Sequence, residues 1–339
     1  MNTNLYIEET KYKGEPCINM VAGKYTCLIA PGIGSNILRL YDSENQIELL
    51  HFKKKIPMKW LRFPSLVCGM PTLFFPNRLG NGVLKTSDNE YHFPINEEKL
   101  QNFIHGFIHK RKYQVVKTSM DKDLFQTETI TRFVYNKNDP FYQYFPVDFT
   151  VEIKFILNKT GLHYELSLTN NSDKMLPAGL GCHTSMKAPF IKKGSKKNLR
   201  IQIPALKRCE LDSKCLCTGN LLDLSDEDLK YTNGTKLPVL NNIDNDMFLI
   251  GNLPLNDGHE IHGVRIFDTK TNHEILYEVD EFYKFFIIWN CGGGADFFCP
   301  EPMSWMIDAP NLTISPEISG YREIAPNETL TTWQHLSSK

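Results

Sequence analysis

The hydrophobic and polar positions of this chain alternate with a period of two along much of its length. Val151, Ile153 and Phe155 are apolar, and the residues between them are charged. A second alternating run covers 162–169, and the turn-forming residues 158–161 separate the two runs. Alternate side chains of a strand point to opposite faces, so this pattern predicts an antiparallel hairpin with one buried face.

Similar short runs recur through the chain and predict further strands. Helical patterns are few. The clearest covers 225–231, where Ser225 is a suitable N-cap and the acidic residues after it favour the positive end of a helix. No internal repeat or Gly/Ser-rich linker divides the chain, so the pattern predicts an all-β fold with few short helices, organised as one domain over residues 1–339. The further predicted strands cover 25–29, 36–41, 113–119, 125–133, 199–203, 262–268, 274–279 and 283–289.

Composition narrows the class of ligand. The chain has 339 residues, of which 41% are hydrophobic and 23% are charged, as in ordinary globular proteins with a sizeable core. Its formal net charge of −1 provides no overall field that would gather nucleic acid or an anionic membrane surface. We therefore expect neither nucleic acid nor a membrane as a partner, and small neutral ligands fit better.

Three features of the sequence predict a cytoplasmic protein. Residues 1–14 are polar and charged throughout and lack the apolar segment of a signal peptide. The most apolar stretch, 285–299, is interrupted by Asn290, by glycines and by Asp296, and is shorter than the roughly 20 apolar residues of a membrane helix. The nine cysteines are scattered, which favours reduced thiols over a disulfide framework.

Two segments in the first third of the chain place polar side chains beside apolar runs, where binding groups are expected. In 71–82, Asn77 and Arg78 follow an apolar strand and precede a turn with glycines, although an ordinary turn with a surface arginine has the same pattern. In 102–109, His105 lies among apolar residues, where it is either a ligand-binding group or a core histidine held by backbone hydrogen bonds. His109 lies four residues further on, but Gly106 and β-branched neighbours disfavour the helix that a metal-binding pair would need.

Two later segments contain a histidine and a glutamate in comparable positions. His183 follows a Gly-rich strand end, where the backbone can approach a ligand closely. Glu301 lies between Pro300 and Pro302 at the end of an apolar run. Burial there would raise the pKa of Glu301 toward that of a useful general base, whereas a surface loop would leave it an ordinary carboxylate.

In their order and spacing, these four segments resemble the aldose 1-epimerase family, also called galactose mutarotases. The resemblance implies a large antiparallel β-sandwich. The stretch NRLGNG at 77–82 is similar to the family turn whose arginine, here Arg78, helps to hold sugar hydroxyls. His105, in a His-Gly-Phe triplet, matches the first histidine of the family, and His183 matches the second, the general acid. Glu301, in a Glu-Pro pair, matches the general base.

The resemblance implies an isomerase that interconverts the α and β anomers of a free monosaccharide by opening and closing its ring. Glu301 would take the proton of the anomeric hydroxyl, His183 would protonate the ring oxygen, and Asn77, Arg78 and His105 would hold the sugar. This chemistry requires no metal, nucleotide or redox cofactor. The oligomeric state is left open.

Two departures from the family pattern bear on the choice of sugar. The family has a substrate-binding aspartate shortly before an aromatic residue. We assign that role to Asp246, although Asp244 is a second candidate and Asn245 occupies one plausible position of the carboxylate. After His183, where the family has an aromatic pair, this chain has Thr184, Ser185 and Met186. The identity of the sugar therefore stays open.

Three alternative functions or sites are compatible with parts of the sequence. An epimerase of the same fold acting on a sugar 6-phosphate would need a basic pocket, which the lysines of 192–197 would have to supply, although such a run is usually a solvated surface. A non-catalytic carbohydrate-binding protein would not need both histidines and the glutamate. A structural zinc site at Cys209, Cys215 and Cys217 lacks the paired spacing of zinc-binding motifs.

Overall fold

Strands dominate the computed structural model, which describes residues 4–52, 57–62, 67–255 and 257–339. The helices are short: α1 (Met58–Arg62), α2 (Asp226–Thr232) and α3 (Pro316–Ser319), with 3₁₀ turns at Ile108–Lys110, Lys196–Asn198 and Ala309–Asn311. The strands are β1 (Leu5–Tyr12), β2 (Glu15–Ala22), β3 (Tyr25–Ala30), β4 (Asn36–Asp42), β5 (Ile47–Glu48), β6 (Thr72–Leu73), β7 (Arg78–Gly80), β8 (Val83–Lys85), β9 (Glu90–His92), β10 (Asn102–Ile104), β11 (Gln114–Asp121), β12 (Gln126–Tyr135), β13 (Phe149–Asn158), β14 (Gly161–Asn170), β15 (Leu176–Pro177), β16 (Gly181–Cys182), β17 (Met186–Lys187), β18 (Leu199–Gln202), β19 (Ala205–Leu211), β20 (Cys217–Leu222), β21 (Asp246–Ile250), β22 (Asn252–Pro254), β23 (Glu260–Asp268), β24 (Glu274–Val279), β25 (Phe285–Trp289), β26 (Phe297–Met303), β27 (Glu323–Ile324) and β28 (Thr329–Ser338).

Two large sheets and a smaller one form the body of the fold. A nine-stranded sheet has the order β11-β12-β13-β14-β28-β24-β23-β18, with β22 paired to β23. An eight-stranded sheet has the order β20-β19-β21-β25-β26-β16-β6, with β17 paired to β26. A five-stranded meander, β1 to β5, forms the third sheet, and the short pairs β7–β10, β8–β9 and β15–β27 lie outside these sheets. The paired strands are antiparallel, which confirms the predicted all-β sandwich with few short helices.

The elements with the clearest local signals form as predicted. Strands β13 and β14 pair along their whole length, from Phe149 opposite Asn170 to Asn158 opposite Gly161, and buried positions alternate along both. The side chain of Ser225 caps α2 in a capping box with Asp228. Alternation and capping depend on near neighbours in the chain, so the sequence contains the information for both.

A continuous hydrophobic core joins the sheets and fixes the strands that carry the polar site. Its members include Val151 and Leu166 of the nine-stranded sheet and Phe286 of the eight-stranded sheet. Trp305 is 1% exposed and stacks on Phe75 with their ring centres 6.2 Å apart, so it is a core residue. In the described part of the chain, every helix is too short or too polar to cross a membrane.

Candidate active site

His183 and Glu301 meet in the eight-stranded sheet. His183 directly follows β16, and Glu301 lies within β26, which pairs with β16. The Nε2 atom of His183 is 3.3 Å from Oε1 of Glu301, and the two residues are only 5% and 2% exposed. The backbone N–H of His183 donates to the carbonyl of Pro71 at 3.0 Å, which fixes the strand end. The sheet therefore brings together two ionisable groups that are 118 positions apart in sequence.

A glycine permits this close approach of the two strands. Gly181 lies opposite Met303 in the β16–β26 pair. A Cβ atom at position 181 would lie 2.6 Å from the sulfur of Met303 and 3.0 Å from the carbonyl oxygen of Pro302. The Gly-rich segment before His183 thus allows the backbone packing that places the histidine beside Glu301.

The carboxyl group of Glu301 lies in an environment that favours its neutral form. Burial raises the pKa of Glu301 well above the usual 4.5, and the positive charge of Arg78 opposes that shift. Its Oε2 atom has no hydrogen-bond partner among the described residues. A buried carboxyl oxygen without a partner is available to accept a proton from a bound molecule.

His105 lies against His183. The two rings are 5.2 Å apart at an interplanar angle of 78°, and the backbone N–H of His105 donates to the carbonyl of Asn77 at 2.7 Å. Burial, and secondarily the neighbouring His183, lower the pKa of His105 well below 6.5, so its ring is neutral near pH 7. The next residue, Gly106, has φ of +59° and lies so close to the Phe74 carbonyl that a Cβ atom would overlap it.

Arg78 is held by a network of acceptors. Its Nε and Nη2 atoms donate to the two carboxylate oxygens of Glu97 at 2.8 and 2.9 Å, and its Nη1 donates to the amide oxygens of Asn77 and Asn245 at 3.2 and 3.1 Å. Burial works against the charge of Glu97, but hydrogen bonds from Arg78 and Asn102 outweigh it and lower the pKa of Glu97. The guanidinium is therefore fixed by a charged bidentate pair, with one Nη2 hydrogen left for a ligand.

The sequence around Glu97 does not identify it as a site residue. It lies in the loop before β10, in a run of three charged residues, EEK at 97–99, that looks like an ordinary solvated loop. No periodic pattern or fixed spacing links it to Arg78. Only the pairing of β7 with β10, which sets Arg78 opposite Ile104, brings that loop to the arginine.

Asp246 is the first residue of strand β21, and Asn245 directly precedes the strand in a left-handed backbone conformation, with φ of +57°. Asp246 pairs with Ile288, whereas its neighbour Met247 pairs with Ile287, which in turn pairs with Glu301. Paired residues share a face and successive residues of a strand alternate, so Met247 lies on the face of Glu301 and Asp246 faces away from it.

Asp246 and Asn245 contact different groups. The carboxylate of Asp246 accepts hydrogen bonds from Arg208 at 2.7 Å and from the Tyr231 hydroxyl at 2.8 Å. Asn245 instead accepts from Arg78 and donates to Asp244 at 2.9 Å. The structure therefore places Asp246, predicted to bind substrate, apart from the other predicted site residues, and puts a neutral amide where a carboxylate was expected.

The residues that depart from the family pattern after His183 are buried beneath the site. Thr184 shares a hydrogen bond with the Tyr277 hydroxyl at 2.9 Å, and Ser185 lies 3.4 Å from the sulfur of Cys299. The aromatic residue beside His183 comes instead from β25, where the Trp289 ring lies 5.6 Å from the imidazole at an angle of 73°. Trp289 is half-buried, so part of its surface stays exposed beside the imidazole.

Comparisons with known proteins identify the family of the chain. A family model described as aldose 1-epimerase matches residues 16–337. The chain belongs to the aldose 1-epimerase family. The resemblance that the four sequence segments carry is thereby confirmed, and the family is one of sugar epimerases within the isomerase class.

Individual relatives of this aldose 1-epimerase family member differ in their distance from it. A galactose mutarotase-like protein from Clostridium acetobutylicum is 31% identical and has a TM-score of 0.95, with 100% of this chain and 99% of that chain covered. A galactose 1-epimerase from Lactobacillus acidophilus is 14% identical, and its TM-score of 0.72 over 99% of both chains shows a shared fold. Uncharacterized protein YihR of Escherichia coli K12 is 25% identical over 221 residues, so the match spans only 65% of this chain and 65% of that relative.

Proposed function

We propose that this member of the aldose 1-epimerase family interconverts the α and β anomers of a free aldose, with Glu301 as general base and His183 as general acid. The observation that carries the proposal is the 3.3 Å separation of His183 Nε2 and Glu301 Oε1 in a buried site. The anomeric hydroxyl and the ring oxygen of a pyranose are bonded to the same carbon. An acid and a base that serve both oxygens must therefore lie this close together.

In the proposed reaction the protein and the sugar exchange only protons. Glu301 removes the proton of the anomeric hydroxyl while His183, as imidazolium, donates a proton to the ring oxygen. The bond between C1 and the ring oxygen breaks, and the open-chain aldehyde forms. After rotation about the C1–C2 bond, the two groups reverse their roles and the ring closes on the other face of the carbonyl. Each correctly placed acid or base contributes roughly 10² to 10⁴ in rate.

The groups around the pair suit the binding of a neutral sugar. In this proposal the neutral ring of His105 and the remaining Nη2 hydrogen of Arg78 bind sugar oxygens, and Asn77 and Asn245 orient the guanidinium through the hydrogen bonds described above. Trp289 lies where its ring can cover the apolar face of the sugar. We assign to Asn245, directly before strand β21, rather than to Asp246 the place of the substrate-binding side chain.

Polarimetry tests the proposal. The purified protein should accelerate the optical-rotation change of freshly dissolved α-glucose or α-galactose at neutral pH. Glu301→Gln should remove most of that acceleration while the circular dichroism spectrum is unchanged, whereas Glu328→Gln, at an exposed site, should retain it. Activity on sugar 6-phosphates alone, or an unchanged rate in Glu301→Gln, would overturn the proposal.

A further inference from the structure

A cysteine lies beside the proposed acid and base. Cys299 precedes Glu301 by two residues on β26, so both side chains point to the same face of the sheet. The ligand atoms of His183, Cys299 and Glu301 all lie within 4.8 Å of one another, and the three residues are buried. In the described part of the chain this is the group of histidine, cysteine and acidic side chains that converges closely enough to hold a metal ion.

We propose that His183, Cys299 and Glu301 bind one thiophilic divalent cation of the zinc class, and that this ion inhibits the enzyme. Nitrogen, sulfur and carboxylate oxygen are the ligands that Zn²⁺ takes in proteins, and with three protein ligands water would complete its tetrahedral coordination. Binding replaces the S–H bond of Cys299 with a sulfur–metal bond, and the thiol proton passes to solvent.

The distances require little rearrangement. Ligands at 2.0–2.3 Å from a tetrahedral ion are roughly 3.3–3.8 Å from each other. His183 Nε2 and Glu301 Oε1 already have that spacing, at 3.3 Å. With all ligand atoms within 4.8 Å, the sulfur has to approach by only on the order of 1 Å, which a rotation of the Cys299 side chain provides.

A second, independent observation points to a ligand at this position. Glu301 is 2% exposed, and its Oε2 atom has no hydrogen-bond partner among the described residues. Buried carboxylate oxygens are normally satisfied by hydrogen bonds or by metal ions. A cation that binds both carboxylate oxygens of Glu301 would satisfy Oε2.

The ion would inhibit the enzyme because of the atoms that bind it. An ion on His183 Nε2 and on the Glu301 carboxylate blocks the two atoms that exchange protons with the sugar. This part of the inference rests on the proposed function, whereas the binding of the metal does not. Inhibition should be reversed by a chelator and should weaken as the aldose concentration rises, because sugar and metal compete for one site.

Titration of the purified protein with Cd²⁺ tests the binding directly. Cadmium takes the ligands of zinc and produces an ultraviolet charge-transfer band when a thiolate binds it. One ion per chain should produce the band, and Cys299→Ser should abolish it and weaken Zn²⁺ binding, measured by calorimetry, by at least about tenfold. Cys291→Ser provides the matched control, because Cys291 is an exposed free cysteine.

Two further variants complete the test. If Cys299→Ser fails to fold, His183→Asn and Glu301→Gln should each weaken Zn²⁺ binding while retaining the thiol. A band that persists in Cys299→Ser, that disappears in Cys291→Ser, or that never forms overturns the inference. If metal binds as expected but no free aldose is turned over, the metal site stands and the proposed function fails.

Discussion

Glu97 accepts hydrogen bonds from Nε and Nη2 of Arg78 at 2.8 and 2.9 Å, although the two residues belong to different segments of the chain. Glu97→Gln replaces one acceptor oxygen with an NH₂ group that cannot accept, and it removes the counter-charge of the guanidinium. Because Arg78 is proposed to bind the sugar and not to transfer protons, KM for the aldose should rise by roughly tenfold with little change in kcat. Initial rates by polarimetry over a range of sugar concentrations measure both constants.

The adjacent residue provides the control for this prediction. Glu98 is exposed, and Glu98→Gln changes the net charge by the same amount without touching Arg78. It should leave both constants unchanged. Equal KM values for Glu97→Gln and the wild type would show that Glu97 does not position Arg78 for binding.

The hydrogen bonds of residues 245 and 246 predict different effects of substitution. Asn245→Ala removes an acceptor of Arg78, and it should raise KM several-fold with a small effect on stability. Asp246→Asn weakens the contacts with Arg208 and Tyr231, and it should lower the free energy of unfolding by about 1 kcal/mol with KM unchanged. Urea denaturation and steady-state kinetics on both variants separate the two effects. A higher KM in Asp246→Asn alone would mean that Asp246 contacts the sugar.

These two positions also show what the sequence could and could not predict. The β13–β14 hairpin and the cap of α2 depend on near neighbours, and His183 and Glu301 stand in recognisable local motifs. The choice between Asn245 and Asp246 depends on their contacts with Arg78, Arg208 and Tyr231, which are not near neighbours in the chain. Glu97 lies in a charged loop and Cys299 in an apolar run, so the sequence around them does not mark either as a site residue. Only pairing between distant strands gives them their neighbours.

The pH dependence of the reaction should show the environment of Glu301. The general base must be ionised, and burial raises the pKa of Glu301 well above 4.5. The value of kcat/KM should therefore fall as pH decreases through this raised pKa, and the acid limb should lie at a higher pH than an ordinary glutamate would give. A pH profile of kcat/KM, with each rate corrected for spontaneous mutarotation, measures it. An acid limb at the pH of an exposed glutamate would contradict the assignment of the base.

The same burial should make Glu301→Gln more stable than the wild type at neutral pH. In the window between the unfolded pKa near 4.5 and the raised folded pKa, the folded protein binds more protons at this residue than the unfolded chain does. The stability that the protonated carboxyl retains at low pH is therefore lost as pH rises through this window. Glutamine does not titrate, so the melting temperature of Glu301→Gln should exceed that of the wild type by a margin that grows from pH 4 toward pH 7. Calorimetric scans at several pH values measure this margin, with Glu328→Gln as the exposed control. A margin that stays constant with pH would mean that burial does not destabilise the Glu301 carboxylate. The raised pKa that supports Glu301 as general base would then be absent.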